Sequence, residues 1–251
     1  MKISICTGPL LPVPAVAGGA IPRMWLGLAL EFARRGHEVA ILARAYPGQA
    51  AQETIEGVSI VRFGGFGQSR FVALDLLRNL FYSLRATSLL PSADILVTND
   101  FWLPMVAAAL RPAAGRVVVN ANRFPKGQYR LYRRAAFIAA ASTVVAREVA
   151  RQCPALASRI RVVANPIDTH VFRPLENRAA RRDRTLLYVG RLHPEKGIHI
   201  LIEALAMFFQ TRSDWRLRLV GPISEDQGGG GHAYEERLRS LAKDLPVEWM
   251  G

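Results

Sequence analysis

The run Gly190-Arg191-Leu192-His193-Pro194-Glu195-Lys196-Gly197 sets two cations beside a glycine and just ahead of an amphipathic segment. A guanidinium and an ammonium on one short loop offer charge-assisted hydrogen bonds to a phosphate. Beyond Gly197, the residues Ile198, Leu201, Ile202 and Leu205 recur at i, i+3, i+4 and i+7, which predicts a helix with one buried face. The first turn of such a helix has unpaired N–H groups that favour an anion. The apolar run Leu186 to Val189 before Gly190 reads as a strand. Strand, tight loop and helix N-terminus make a phosphate-holding unit, with Gly190, Arg191 and Lys196 as its candidate residues. Glu195 suits the start of a helix, where the macrodipole favours an anion, and is given no chemistry.

Other candidates lie earlier in the chain. Gly18-Gly19 falls between a strand and a helix, where glycine lets backbone approach a ligand closely; a plain turn is the alternative. Arg23, at the start of that helix, is a cation close in sequence to this loop and a candidate ligand contact. Asp100 follows a short apolar strand, at the sheet edge where open parallel sheets bind ligands. It could meet hydroxyls of a ligand, act as a base, or simply cap a helix. Asn120 and Asn122 hold similar positions at the next strand. From Phe101 to Arg147 there is no acidic residue, while arginines and Lys126 alternate with Phe124, Tyr129, Leu131 and Tyr132. Such a face suits an anionic leaflet, a phosphorylated or lipid-linked acceptor, or plain solvation. Arg123 and Lys126 are its candidates for acceptor contact.

These residues need a framework, and 251 residues suit roughly two domains of about 100–200 residues each. Half the residues are hydrophobic, enough for real cores, and the net charge of +13 calls for an anionic partner. Cys6 and Cys153 have no CxxC spacing, which argues against a disulfide scaffold or zinc site and fits a reducing compartment. Pro9, Pro12 and Pro14 break the uncharged N-terminal run, so it reads as strand and loop rather than as a signal peptide. No Walker sequence, GxGxxG, GxSxG or HExxH occurs, and no motif supports nucleic-acid binding.

The elements alternate. Strands are expected at 2–6, 38–43, 58–63, 94–98, 116–120, 136–140 and 161–164, with helices over 25–33, 71–90, 103–110 and 143–151. Gly36 closes the first helix. Asn165-Pro166 reads as a rigid exit from a strand and Asp168 as a turn residue. The polar, arginine-rich stretch 176–184 is the linker candidate. The rhythm then restarts: strand 185–189, helix 197–210, strand 216–220, a loop holding Gly228 to Gly231, helix 233–243, strand 247–249. This predicts an α/β fold: a doubly wound parallel-sheet domain over 1–175 and part of a second over 185–251.

Four features in this order resemble the retaining glycosyltransferases of family 4. They are Gly18-Gly19; Arg34-Arg35-Gly36-His37-Glu38-Val39; Val163-Ala164-Asn165-Pro166-Ile167-Asp168 with Phe172 and Pro174; and Gly190-Arg191-Leu192 with Glu195-Lys196-Gly197. The resemblance implies the GT-B fold, two Rossmann-like domains, the first on the acceptor side and the second binding the donor. It implies a nucleotide-diphosphate-sugar donor and a sugar, lipid-linked or polysaccharide acceptor. Transfer would retain configuration and need no metal or other cofactor. Arg191 and Lys196 would be catalytic through the departing diphosphate, and Gly18, Gly19 and Gly190 would also be donor-binding. Family members carry a pair of glutamates in a later segment that has no counterpart here. The second domain is therefore expected to be incomplete, with a dead donor-binding fragment or a basic membrane-surface adaptor as alternatives. The expected location is cytoplasmic, peripheral on an anionic membrane face, with no nucleic-acid partner.

Overall fold

A computed structural model describes residues 1–174 and 184–251, so most of the 176–184 linker candidate lies outside the described residues. The contacts divide into two compact units, Met1–Ile167 and Asp168–Gly251, upstream of the 175/176 boundary expected.

The first unit is built on an eight-stranded sheet. In chain order its elements are β1 (Lys2–Cys6), α1 (Ala20–Arg34), β2 (Glu38–Arg44), β3 (Gln52–Ile55), β4 (Val58–Phe63), α2 (Val72–Leu89), β5 (Ile95–Thr98), α3 (Leu103–Leu110), β6 (Arg116–Ala121), β7 (Phe137–Ala140), α4 (Thr143–Gln152) and β8 (Ile160–Val162). The strand order is β3-β4-β2-β1-β5-β6-β7-β8, and every pair is parallel except β3 with β4. β3 is an element the sequence reading lacks. Its residues Gln52-Glu53-Thr54-Ile55 have little apolar signal, and the Glu56-Gly57 turn pairs them with β4 at the sheet edge.

Alternate side chains of each strand feed two cores, as the period of two requires. On one face Ile3, Ile5, Val39, Ile41 and Ile60 pack with Trp25 and Ala29 of α1. On the other, Cys6, Leu42, Leu96, Val119 and Ile138 pack with Tyr82, Leu103 and Val149 from α2, α3 and α4. α1 tolerates Pro22 because N–H groups of a first turn have no helical acceptor. It ends where Gly36 takes φ 82° and its N–H reaches Ala33 O at 2.9 Å. Cys6 and Cys153 are both buried and free.

The second unit contains β9 (Thr185–Val189), α5 (Ile198–Phe209), β10 (Arg216–Val220), α6 (Gly231–Leu241) and β11 (Val247–Trp249). The three strands are parallel in the order β11-β10-β9. Ile198, Ile202, Leu217, Leu219 and Leu238 form its core. Leu187 and Val189 on the opposite face of β9 stay exposed, so α5 and α6 cover one face of this sheet rather than both. None of the described helices is long and apolar enough to cross a membrane.

Candidate active site

In the second unit, the carboxyl ends of β9 and β10 are pressed together by glycine. Gly190 N–H donates to Val220 O at 2.9 Å. Gly221 has φ 141°, and a Cβ there would sit 2.1 Å from Gly190 O. The loops leaving the strands are then stitched to each other: Leu192 N–H donates to Pro222 O at 2.9 Å and Gly230 N–H to Leu192 O at 2.8 Å. Gly229 has no room for a side chain either, since its Cβ would lie 2.2 Å from Ile223 O. Two strand ends therefore offer one platform of backbone.

Arg191 lies across this platform. Its Nη1 donates to Gly228 O at 2.6 Å and its Nη2 to Glu195 Oε1 at 2.8 Å. Tyr188 Oη donates to Arg191 O at 3.0 Å and steadies the turn from below. The guanidinium is thus oriented yet still reachable, because the Arg191–Glu195 pair is about half exposed. An exposed ion pair contributes little, so an anion with two acceptor oxygens can replace the single Glu195 contact. Lys196 ends the short turn Pro194–Lys196, its N–H bonded to His193 O at 2.9 Å. Its side chain is exposed, with no partner among the described residues. Gly197, at φ 68°, starts α5, whose first N–H groups meet no capping side chain. Oriented guanidinium, open ammonium and uncapped helix end occur within eight consecutive residues, 190–197. Their shared chemistry is anion binding.

In the first unit, the loop carrying Gly18 and Gly19 is held by arginines that the sequence reading did not single out. Arg62, buried in the sheet, donates from Nε to Val13 O at 2.9 Å and from Nη1 to Ala50 O at 2.6 Å, and pairs with Glu53 through Nη2. Arg44 Nη1 donates to Leu10 O at 2.7 Å. Gln49 Nε2 reaches Pro14 O at 3.3 Å. Gly19 has φ 104°, and its Cβ would strike Leu11 Cδ1 at 2.6 Å, whereas Gly18, at φ 76°, faces open space. Bare backbone is presented at Gly18, directly before α1. Arg23 stands exposed in the first turn of α1 without a partner among the described residues.

Asp100 is placed differently from the acceptor-contact reading. It is buried, and its carboxylate accepts from Asn79 Nδ2 at 2.6 Å, Ser83 Oγ at 2.6 Å, Trp102 N at 3.2 Å and Leu103 N at 3.1 Å. These contacts tie α2 to the start of α3 and leave no oxygen turned to a ligand. Burial pushes its carboxyl above the usual range, while the four hydrogen bonds pull the other way. The asparagines do the reverse. Both amide atoms of Asn122, and Oδ1 of Asn99 and of Asn120, are buried without a protein partner at the carboxyl ends of β5 and β6. Buried amides call for a polar partner, and a substrate hydroxyl or a water supplies one.

The basic stretch is also sorted by the fold. Tyr129 and Tyr132 turn inward, with Tyr132 Oη donating to Phe101 O at 3.0 Å, and burial pushes the Tyr129 phenol up to about 12. The exposed aromatic rings left in this segment are Phe124 and Phe137, and of the other interleaved residues Leu131 is exposed. Arg111 and Arg130 are spent on Leu90 O and Gln152 O. Arg123 and Lys126 remain exposed, with side chains unpaired among the described residues.

Comparison with known proteins identifies the family. The sequence profile of Glycosyltransferase Family 4 matches residues 21–171, and that of Glycosyl transferases group 1 matches residues 174–249. The chain belongs to glycosyltransferase family 4. A D-inositol 3-phosphate glycosyltransferase of Acidothermus cellulolyticus is 43% identical over 100 residues, 36% of this chain and 21% of that protein. Its namesake from Kineococcus radiotolerans is 26% identical across 98% of this chain and 65% of its own length. The chain thus spans less than two thirds of the curated relatives it matches. Among solved structures, Anabaena HepE in complex with UDP and glucose superposes with a TM-score of 0.63 at 19% identity, covering all of this chain and 69% of that one. This likeness shows the GT-B fold.

Within the family 4 frame, the residues missed by sequence reasoning are mostly glycines and buried polar groups. Gly221 and Gly229 matter because backbone passes where a Cβ would be. The run Gly228 to Gly231 after a strand was the available signal. Arg62 and Asn79 gave none, since only the fold reveals that each is buried against a carbonyl or a carboxylate.

Proposed function

We propose that this chain takes part in moving a sugar from a nucleotide-diphosphate donor to a hydroxyl acceptor, with retention of configuration. Arg191 and Lys196 hold the diphosphate. As the bond from the sugar to the diphosphate breaks, its electron pair passes to the phosphate oxygen and negative charge builds there. Two cations already set in place stabilise that charge more than they stabilise the intact donor. They supply the charge neutralisation themselves, so the reading calls for no metal. Gly18, Gly19 and Gly190 give close backbone approach, and Asn122 and Arg23 are available to hydroxyls of the acceptor or sugar.

The observation that carries this reading is the orientation of Arg191 by Gly228 O and Glu195 beside the open Lys196 and the uncapped α5. The UDP and glucose named with HepE support a nucleotide-sugar donor. The relatives named for D-inositol 3-phosphate favour a phosphorylated acceptor, which Arg123 and Lys126 suit. Cell-surface polysaccharide, lipopolysaccharide or glycolipid intermediates are the product classes in keeping with this chemistry. Turnover assays with nucleotide-sugar panels test it. Arg191→Ala and Lys196→Ala should each lower turnover about a hundredfold, the scale of losing one transition-state donor. Unchanged turnover in both variants would overturn the assignment.

A further inference from the structure

The two helices that follow β9 and β10 meet at their amino ends. His199 is the second residue of α5, and Tyr234 is the fourth of α6. His199 Nδ1 and Tyr234 Oη lie 3.0 Å apart, and the two rings stand edge to face with centroids 6.0 Å apart. Tyr234 is buried in the core of the second unit, so its hydroxyl needs a partner, and among the described residues His199 is the one it has. The hydroxyl donates to a ring that carries its proton on Nε2, or accepts from one that carries it on Nδ1.

Each of these helix starts is also the end of a loop of the anion platform. Lys196 and Gly197 lead into α5, and Gly228, Gly229 and Gly230 lead into α6. A Cβ at Gly230 would lie 2.7 Å from Tyr234 Cδ1 and 2.9 Å from Pro194 Cδ, so the tyrosine ring and the cation loop both pack on this bare backbone. Two residues earlier, Gly228 O is the acceptor that orients Arg191 Nη1 at 2.6 Å. Tyr234 also stands near Tyr188, whose hydroxyl holds Arg191 O. Burial first, and Tyr234 second, push the Tyr188 phenol above its ordinary range, against the opposing pull of Arg191.

We propose that Tyr234, fixed by His199, is a positioning residue for the diphosphate site. It sets the loop of Gly228, Gly229 and Gly230, and Gly228 O in turn sets the plane of the Arg191 guanidinium. A guanidinium takes two phosphate oxygens side by side only when that plane is held, so a shift of Gly228 O weakens its grip. This role rests on Arg191 binding a diphosphate, whereas the hold on the loop does not.

Amide hydrogen exchange on the ligand-free chain reads the first link. Gly229 N–H donates to Ser224 O at 2.8 Å and Gly230 N–H to Leu192 O at 2.8 Å, which makes both amides reporters of the loop. Tyr234→Phe keeps the ring and removes one hydroxyl. It and His199→Leu should each speed exchange at these amides about fivefold, the scale of one lost hydrogen bond, while β10 stays protected. His199→Gln, which again offers a donor and an acceptor, should restore most of the protection. Isothermal titration with UDP and with ADP reads the second link. Tyr234→Phe should weaken binding about fivefold in the parent and leave it unchanged in an Arg191→Ala background, because the effect travels through that guanidinium. A tyrosine that merely stabilised the unit would weaken binding alike in both backgrounds, and that result would overturn the proposal. So would parental exchange at Gly229 and Gly230 in both Tyr234→Phe and His199→Leu. If the parent binds neither diphosphate, the donor reading falls instead, and the exchange rates alone decide whether the two rings hold the loop.

Discussion

Replacing Asp100 with alanine should destabilise the first unit by about 3 kcal/mol. The carboxylate receives two side-chain and two backbone hydrogen bonds in the core. Alanine orphans the buried donors of Asn79 and Ser83, each costing about 1–3 kcal/mol. It also frees the N–H groups of Trp102 and Leu103 at the start of α3, a further ~1 kcal/mol. Part of this is returned, because the desolvation cost of the buried anion disappears with it. Asp100→Asn should cost only about 1 kcal/mol. Asn79 Oδ1 is buried and unpaired, so a rotated Asn79 amide can accept from the new N–H group. Urea unfolding followed by tryptophan fluorescence reads the effect, since Trp102 Nε1 bonds Leu76 O at this same junction. The pH dependence has a definite sign. Burial raises the folded pKa above the unfolded value of about 4, so the folded state binds the proton more tightly. Relative to Asp100→Asn, the parent should lose stability as pH rises from about 4 through the raised folded value, and regain it as pH falls back. An Asp100→Ala protein of parental stability that has lost its turnover would refute this, and would return Asp100 to the substrate.

Gly221→Ala should destabilise the second unit by about 2–3 kcal/mol, because its Cβ meets Gly190 O at 2.1 Å and φ is 141°; unfolding followed through Trp215 and Trp249 measures it. Arg62→Met should cost about 1–3 kcal/mol in the first unit, since it leaves the buried Val13 O without its donor and strips Glu53 of its partner. It should also increase amide exchange in residues 8–19, and parental protection there would show that the loop is held by other contacts.

Much of the framework was legible because long apolar-periodic runs dominate it. The helix over 103–110 and the strands at 58–63, 185–189 and 216–220 fall where pattern puts them. β3 was not legible, because Gln52 to Ile55 form an edge strand through backbone pairing with β4 and carry almost no hydrophobic alternation. The orientation of α2 was hidden for a related reason. Periodicity finds a helix but assigns its apolar side to the core, and here Asp100 draws the polar side inward. Of the site, the cations were readable from spacing in the loop after β9. The hold of Gly228 O on Arg191 was not, because it joins two loops through a tertiary contact across 37 residues. The tyrosines at 129 and 132 misled in the same way, since an aromatic among arginines looks like a surface until the fold buries it.

The central claim is that Arg191 and Lys196 grip a diphosphate. Isothermal titration of the chain with nucleoside diphosphates measures this without requiring an acceptor. Saturable binding is expected, which Arg191→Ala and Lys196→Ala should each weaken about tenfold or more, on the scale of one charge-assisted contact. Binding of equal strength in the parent and both variants would contradict it.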